Sequence, residues 1–243
     1  MKNIFSKIFN VISPQGIKCI VCDDELSKTT SHCVCDKCFD KLPFIAKSCT
    51  KCGAEIYSKS NLCIECKDQQ RYFDKAFSVF NFENEIASLI YRFKYGNQTY
   101  LAKYLADFMF NKIVEQNLDF DIIVPVPLSD KRLKLRTFNQ AELLAAALAE
   151  RFGKPLVCDA IVRDRDTLTQ THLSKLERKQ NLNNAFKVVN KKLIKGKKIL
   201  LVDDVFTTGT TSDEISKTLL NASSNSIYVI TFAHAVNKKE KGN

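Results

Sequence analysis

No stretch of this chain is apolar for long enough to cross a bilayer. A spanning helix needs about 20 apolar residues, and the widest runs here are short and broken by Lys, Asp and Asn. No export signal is expected either, since Ser6 and Lys7 interrupt the apolar residues between Met1 and Ser13. A soluble protein in a reducing, cytoplasmic setting follows as the expectation. The phosphate loop of P-loop nucleotidases is also missing. The two Gly-Lys pairs, Gly153-Lys154 and Gly196-Lys197, are followed by Pro155 and Lys198, where that motif needs Ser or Thr. Histidine is scarce, at three residues, and His172 stands alone in a polar stretch, so it reads as surface and not as an acid or base.

Cysteine is plentiful. Nine of the ten precede Lys67 and the long apolar runs follow Phe73, a composition shift that predicts two domains. The expected division is an amphipathic helix plus double zinc ribbon over 1–70, an α/β parallel-sheet domain over 71–236 and a charged tail over 237–243. Four Cys-x-x-Cys pairs, Cys19/Cys22, Cys35/Cys38, Cys49/Cys52 and Cys63/Cys66, fill the first part. Two thiolates on one tight turn grip a tetrahedral ion and a second turn completes the shell, so four pairs predict two structural Zn²⁺ ions. Spacers of twelve, ten and ten residues fit a double zinc ribbon with either consecutive or interleaved pairing. Disulfides are the weaker alternative without an export signal. His32 and Cys33 stand beside the second knuckle as substitute ligands, and Cys158 reads as a small core residue. Ahead of the ribbons, Ile4, Phe5, Ile8, Phe9 and Ile12 recur at helical spacing. They predict a helix over 2–12, docked on the protein's own core rather than lying in a membrane plane.

The formal charge is +10, and two four-thiolate zinc sites would lower it to about +6. Basic residues cluster at Lys131 to Arg136 and at Lys191 to Lys198. Such clusters attract nucleic acid or a phosphorylated substrate, or serve only as solvated surface.

The chemistry concentrates between Ile199 and Thr211. Ile199-Leu200-Leu201-Val202 suits a strand buried on both faces of a parallel sheet, and Asp203 and Asp204 appear at its carboxyl end, the edge where α/β sheets bind ligands. The loop Thr207-Thr208-Gly209-Thr210-Thr211 follows, and Ser212-Asp213-Glu214 starts a helix whose free N–H groups point back into it. Hydroxyls, a permissive glycine and a helix N-terminus make a cradle for a phosphate monoester. Two acids repel phosphate, so they should face sugar hydroxyls or a bridging divalent cation on the same ligand. Diol plus phosphate points to a ribose 5-phosphate. The plainer alternative is a surface turn in which Asp204 and Thr207 only cap the helix.

Around this stretch the pattern predicts a strand over 76–82, helices over 85–95 and 99–115, and a second buried strand from Asp121 to Leu128 cut short by Pro125 and Pro127. A loop holding Lys131, Arg132 and Arg136 then leads to a helix over 141–151, its cations placed to suit a pyrophosphate leaving group. Residues 159–186 read as a mobile flap, with strands at 187–189 and 226–232 beyond it, and the aromatic residues read as core rather than as a base-stacking platform.

The apolar strand, two acids and Thr-Thr-Gly-x-Thr resemble the loop of type I phosphoribosyltransferases that binds 5-phosphoribosyl 1-pyrophosphate (PRPP). Over nearly the whole chain, the cysteine-rich head, Pro-Val-Pro-Leu with Arg-x-x-x-Arg-x-Phe-Asn-Gln-Ala-Glu, the Arg-x-Arg-x-Thr flap and this loop resemble the ComF family. The resemblance implies a type I phosphoribosyltransferase-like domain preceded by a small zinc-ribbon domain. It implies that Asp203 and Asp204 hold the ribose hydroxyls, that Thr207, Thr208, Gly209, Thr210 and Thr211 hold the 5-phosphate, and that Arg132 and Arg136 hold the diphosphate of Mg²⁺-bound PRPP. Single-stranded DNA and proteins of the competence machinery are implied as partners. Two functions of different class follow: a phosphoribosyltransferase acting in DNA uptake, and a non-enzymatic single-stranded DNA adaptor that retains a PRPP site. Where the family usually has Gly before Phe-Asn-Gln, this chain has Thr137. A positive φ there would strain a β-branched residue and bear on the pose of Arg136.

Overall fold

The structure is a computed structural model that describes residues 17–26, 32–164 and 185–236. The helix expected over 2–12, most of the flap with His172, and the tail over 237–243 lie outside the described residues. The chain separates into two compact units, Met1–Leu42 and Pro43–Asn243. One four-cysteine group lies in each, so the 70/71 boundary drawn from composition falls inside the second unit.

Both groups are built by the same two devices. In the first unit the Cys19 N–H donates to the Asp24 carbonyl (2.8 Å), the Asp23 N–H returns to the Cys19 carbonyl (2.9 Å), and Lys18 bridges Glu25. Cys35 then caps a one-turn helix, α1 (Asp36–Phe39), which carries Cys38. In the second unit the Cys49 N–H donates to the Ala54 carbonyl (2.7 Å), the Gly53 N–H to the Cys49 carbonyl (3.0 Å), and Ser48 bridges Glu55. Cys63 caps α2 (Ile64–Asp68), which carries Cys66. The two are repeats of one knuckle-and-helix unit. The turn residue is left-handed in each, at φ 63° for Asp23 and 75° for Gly53. The second position requires glycine for another reason: a Cβ at 53 would lie 2.8 Å from the Ala76 carbonyl oxygen, because this knuckle packs directly on the sheet.

That sheet begins with β1 (Lys75–Asn81). There follow α3 (Asn84–Tyr95), α4 (Leu101–Glu115), β2 (Ile122–Pro125), α5 (Asp130–Arg136), α6 (Gln140–Phe152), an antiparallel pair β3 (Ile161–Arg163) and β4 (Phe186–Val188), β5 (Lys198–Phe206), α7 (Thr210–Asn221) and β6 (Ser226–His234). Strands β1, β6, β5 and β2 lie in that order in one parallel sheet. Its inner strand β5 has Ile199, Leu200, Leu201 and Val202 fully buried, the signature of a strand covered on both faces. Ile199 and Leu201 join Ile215 and Leu219 of α7, Phe73 and all four cysteines of the second group in one buried cluster. The second ribbon therefore shares its core with the sheet. Helices α4 and α6 pack on each other, pinned by the Arg151 Nε–Asp107 Oδ1 hydrogen bond (2.9 Å), which supplies the partner that buried Asp107 needs.

Two local readings change. The segment after β2, expected as a loop, is the helix α5, because Ser129 caps it and places Arg132 and Arg136 one turn apart on a shared face. Cys158 is exposed and not core: after the bridge from Leu156 to Ile123, Val157 turns inward with its N–H on the Ile123 carbonyl (2.9 Å), and Cys158 opens a bend with its side chain facing outward.

Candidate functional site

Strand β5 delivers the two acids at its carboxyl end. The Asp203 Oδ1 accepts from the Asp204 N–H at 2.8 Å, and the Asp204 side chain is buried. Burial, and then the charge of Asp204, push Asp203 up to about 7, against the pull of Lys94. The Lys94 Nζ lies 2.8 Å from Asp204 Oδ1. Lys94 was not singled out from the sequence, although a signal existed: it continues the Ile86, Ile90 register of α3 at i+4, so a charge stands on the buried face and needs a partner.

The loop leaves β5 at Phe206 and turns at Gly209, where φ is 72°. A Cβ there would lie 2.4 Å from Phe206 Cζ. The Phe206 ring cannot easily yield, since it meets Phe73 edge-on (6.0 Å) and stacks on His234 (4.9 Å, 22°). Glycine is thus required by the backbone and by the ring beneath it. Helix α7 then begins at Thr210, leaving the N–H groups of its first turn without intrahelical acceptors, a natural anion site. Of the expected cradle residues, Thr207, Gly209 and Thr211 line a common cavity with Ser212, whereas the hydroxyls of Thr208 and Thr210 face each other at 2.8 Å.

Helix α5 supplies Arg132 and Arg136 to the same cavity. The Arg136 Nη1 donates to Gln140 Oε1 (3.1 Å) and Nη2 to the Tyr95 hydroxyl (3.2 Å), and the guanidinium lies over the Tyr95 ring at 5.2 Å. Burial, and then the charge of Arg136, pull Arg132 below its ordinary value. Thr137 closes α5 in the left-handed region at φ 65°, so the strain foreseen for a β-branched residue in place of glycine is present. The pose of Arg136 is nonetheless fixed from outside the turn, by Tyr95 and Gln140.

The cavity holds about 400 Å³. Among the described residues four cations, Lys94, Arg132, Arg136 and Arg163, and two carboxylates, Asp203 and Asp204, line it. An excess of positive charge with an acid pair at one wall suits a polyanion that also carries hydroxyls.

The cysteines resolve into two groups by consecutive pairing, Cys19/Cys22/Cys35/Cys38 and Cys49/Cys52/Cys63/Cys66, the sulfurs of each lying within 4.8 Å of one another. The Cys22–Cys35 and Cys52–Cys63 sulfur separations are 3.8 and 3.6 Å. A tetrahedral site with Zn–S near 2.3 Å has an edge of about 3.8 Å, so both groups fit zinc as they stand. Four thiols this close, all buried in the second group, suit deprotonation around a shared dication, whose charge the thiolates would balance. His32 and Cys33 belong to neither group.

Residues 139–242 match the phosphoribosyl transferase domain family. Competence protein F of Haemophilus influenzae is 32% identical over 228 residues, covering 90% of this chain and 98% of that one. The chain belongs to the ComF family. DNA utilization protein YhgH of Salmonella typhimurium is 31% identical over 192 residues, 77% of this chain and 84% of that one. Among solved structures, the glutamine PRPP amidotransferase of B. subtilis is similar over 58% of this chain and 30% of that one, at 19% identity and a TM-score of 0.41. This ComF chain thus carries a type I phosphoribosyltransferase fold with a parallel sheet and two four-cysteine groups ahead of it. No helix of the described residues is long and apolar enough to cross a membrane.

Proposed function

We propose that the chain is a cytoplasmic phosphoribosyltransferase that binds Mg²⁺-PRPP and acts in DNA uptake during natural transformation. One observation carries the reading: a single cavity gathers the acid pair of β5, the Thr207–Thr211 turn with the start of α7, and the arginines of α5. In this reading Asp203 and Asp204 accept from the ribose hydroxyls, the turn and the α7 N-terminus hold the 5-phosphate, and Arg132 and Arg136 hold the diphosphate. Mg²⁺, arriving with PRPP, supplies neutralisation of the diphosphate charge. Bond breaking at C1 leads in such displacements. The task of the residues is to fix both ends of the substrate and stabilise the departing charge while a nitrogen nucleophile takes its place. Lys94 holds Asp204 in position through their ion pair. The two cysteine groups hold structural zinc, and the names of the relatives, competence and DNA utilization, support the role in uptake.

Calorimetric titration of PRPP into the purified chain, with and without Mg²⁺, tests this. Saturable binding strengthened by Mg²⁺ is expected, and no heat at millimolar PRPP in either case would overturn the PRPP reading.

A second reading, a single-stranded DNA adaptor, draws on the exposed rings of Tyr91 and Tyr95, 5.1 Å apart beside Arg136. The sequence had placed these aromatics in the core, but only Phe93 of that turn is buried. Base stacking on exposed rings next to a cation is sequence-tolerant single-strand chemistry. If DNA binds there, affinity falls with salt by a log–log slope of about −0.7 per phosphate neutralised, and Tyr91→Ala, which leaves the Tyr95 contact to Arg136 in place, weakens it while PRPP binding persists.

A further inference from the structure

Between the second cysteine group and β1, the segment Arg71 to Asp74 is tied to the phosphate loop and to the elements on either side of it: Arg71 reaches the loop, Tyr72 the helix α7 that follows it, Phe73 the end of β5 that precedes it, and Asp74 the neighbouring strand β6. Arg71 is almost fully buried, and its Nη2 donates to the Thr208 carbonyl at 3.0 Å, across 137 positions of sequence. The same Nη2 lies 3.9 Å from Glu65 Oε2, and Glu65 sits between Cys63 and Cys66 on α2. Next, the Tyr72 N–H donates to Asp213 Oδ1 (2.6 Å) in the first turn of α7. Phe73 is fully buried and meets edge-on the Phe206 ring that underlies Gly209. Asp74 closes the series by accepting from the Ile227 N–H (2.7 Å) and donating its own N–H to the Ile227 carbonyl (2.8 Å). The first knuckle of the same group grips this segment too: the Ala76 N–H donates to the Lys51 carbonyl (2.8 Å) and the Lys51 Nζ to the Asp74 carbonyl (3.0 Å).

A buried guanidinium is costly unless its donors are satisfied, and here the Arg71 Nε is buried without a hydrogen-bond partner among the described residues. The effect of Arg71 on the loop follows from peptide geometry. In a planar trans peptide the carbonyl of Thr208 and the N–H of Gly209 point to opposite sides. Holding that carbonyl against Arg71 aims the Gly209 N–H away from it, and Gly209 lines the cavity. We propose that Arg71 is a positioning residue through which the second cysteine group, with its metal, holds the phosphate loop in its anion-binding conformation. The loop's affinity for a phosphate ester then depends on a site that never touches the ligand. This rests on the phosphate-binding reading of the loop given above.

The test uses the full chain in its zinc-loaded form with Arg71→Ala and Arg71→Lys. Three quantities are measured: zinc stoichiometry, amide hydrogen exchange at residues 207–212, and affinity for Mg²⁺-PRPP. Arg71→Ala is expected to keep its zinc and the protection of β5, to exchange about tenfold or more faster across 207–212, and to bind PRPP about tenfold to a hundredfold more weakly, the range for a lost charge-assisted hydrogen bond. Arg71→Lys, which retains one donor, should fall between. Loop exchange in Arg71→Ala equal to that of the wild type overturns the proposal whatever PRPP does. If the wild type fails to bind PRPP while loop exchange still rises in Arg71→Ala, the mechanical link stands and the PRPP reading falls.

Discussion

Replacing Gly209 with Ala asks the loop to give up two properties at once. The new Cβ would stand 2.4 Å from Phe206 Cζ and 2.7 Å from Cε1, so the ring must retreat by about 1 Å to reach ordinary contact. Its path is blocked by the edge of Phe73 and the face of His234, a case of overpacking that costs about 1–3 kcal/mol. The left-handed backbone at φ 72° adds about 1 kcal/mol for any residue with a Cβ. A destabilisation of about 2–4 kcal/mol is expected, or a smaller one if the loop escapes by rearranging, in which case PRPP affinity falls instead. Chemical denaturation and PRPP titration of the same variant separate the two. Repeating the substitution in a Phe206→Leu background removes the clash and leaves the backbone cost, so a double-mutant cycle should show a coupling of about 1 kcal/mol or more. Unchanged stability and affinity in Gly209→Ala, or zero coupling to Phe206, would refute the reasoning.

Lys94→Met leaves the buried Asp204 carboxylate without its ion pair and should destabilise the chain by about 2 kcal/mol; Asp204→Asn added to it should recover part of that loss in denaturation measurements. Asp203, pushed up to about 7 from an ordinary 3.8, holds a proton in the folded state that the unfolded chain has lost. Stability should therefore fall as pH rises between about 4 and 7 and level off above, and this slope should diminish in Asp203→Asn. PRPP affinity moves the opposite way, rising through pH 7 as the carboxylate ionises. Elemental analysis under reducing conditions should give close to two zincs per chain, and replacing Cys158 should not change the count; a folded chain with no metal would contradict the zinc assignment.

Much of the site could be read from residues 199–211, because a run of four buried apolar residues, two acids and a threonine-glycine turn each constrain the backbone locally. The Cys-x-x-Cys spacings were equally informative, though spacing could not choose between consecutive and interleaved pairing, which depends on how the turns meet in space. Thr137 was legible as a strained position because a β-branched residue stood where glycine was expected. Local pattern failed where the deciding contact was distant. The composition shift near residue 70 hid the fact that the second cysteine group shares a buried cluster with β5 and α7. Arg71 carried no periodic signal, since its partner Thr208 is 137 positions away. Tyr91 and Tyr95 belong to the same helix as Phe93, and only the way α3 packs on the rest of the fold decides which rings are exposed.

The most direct test of the PRPP assignment is the affinity of Asp204→Asn for PRPP at saturating Mg²⁺, compared with the wild type. The change removes an ionised acceptor for a ribose hydroxyl while keeping the shape of the side chain. A charge-assisted hydrogen bond of about 1.5–3 kcal/mol corresponds to binding weakened tenfold to a hundredfold, with the fold retained. Equal affinity of the folded Asp204→Asn variant and the wild type would contradict the placement of PRPP at the end of β5.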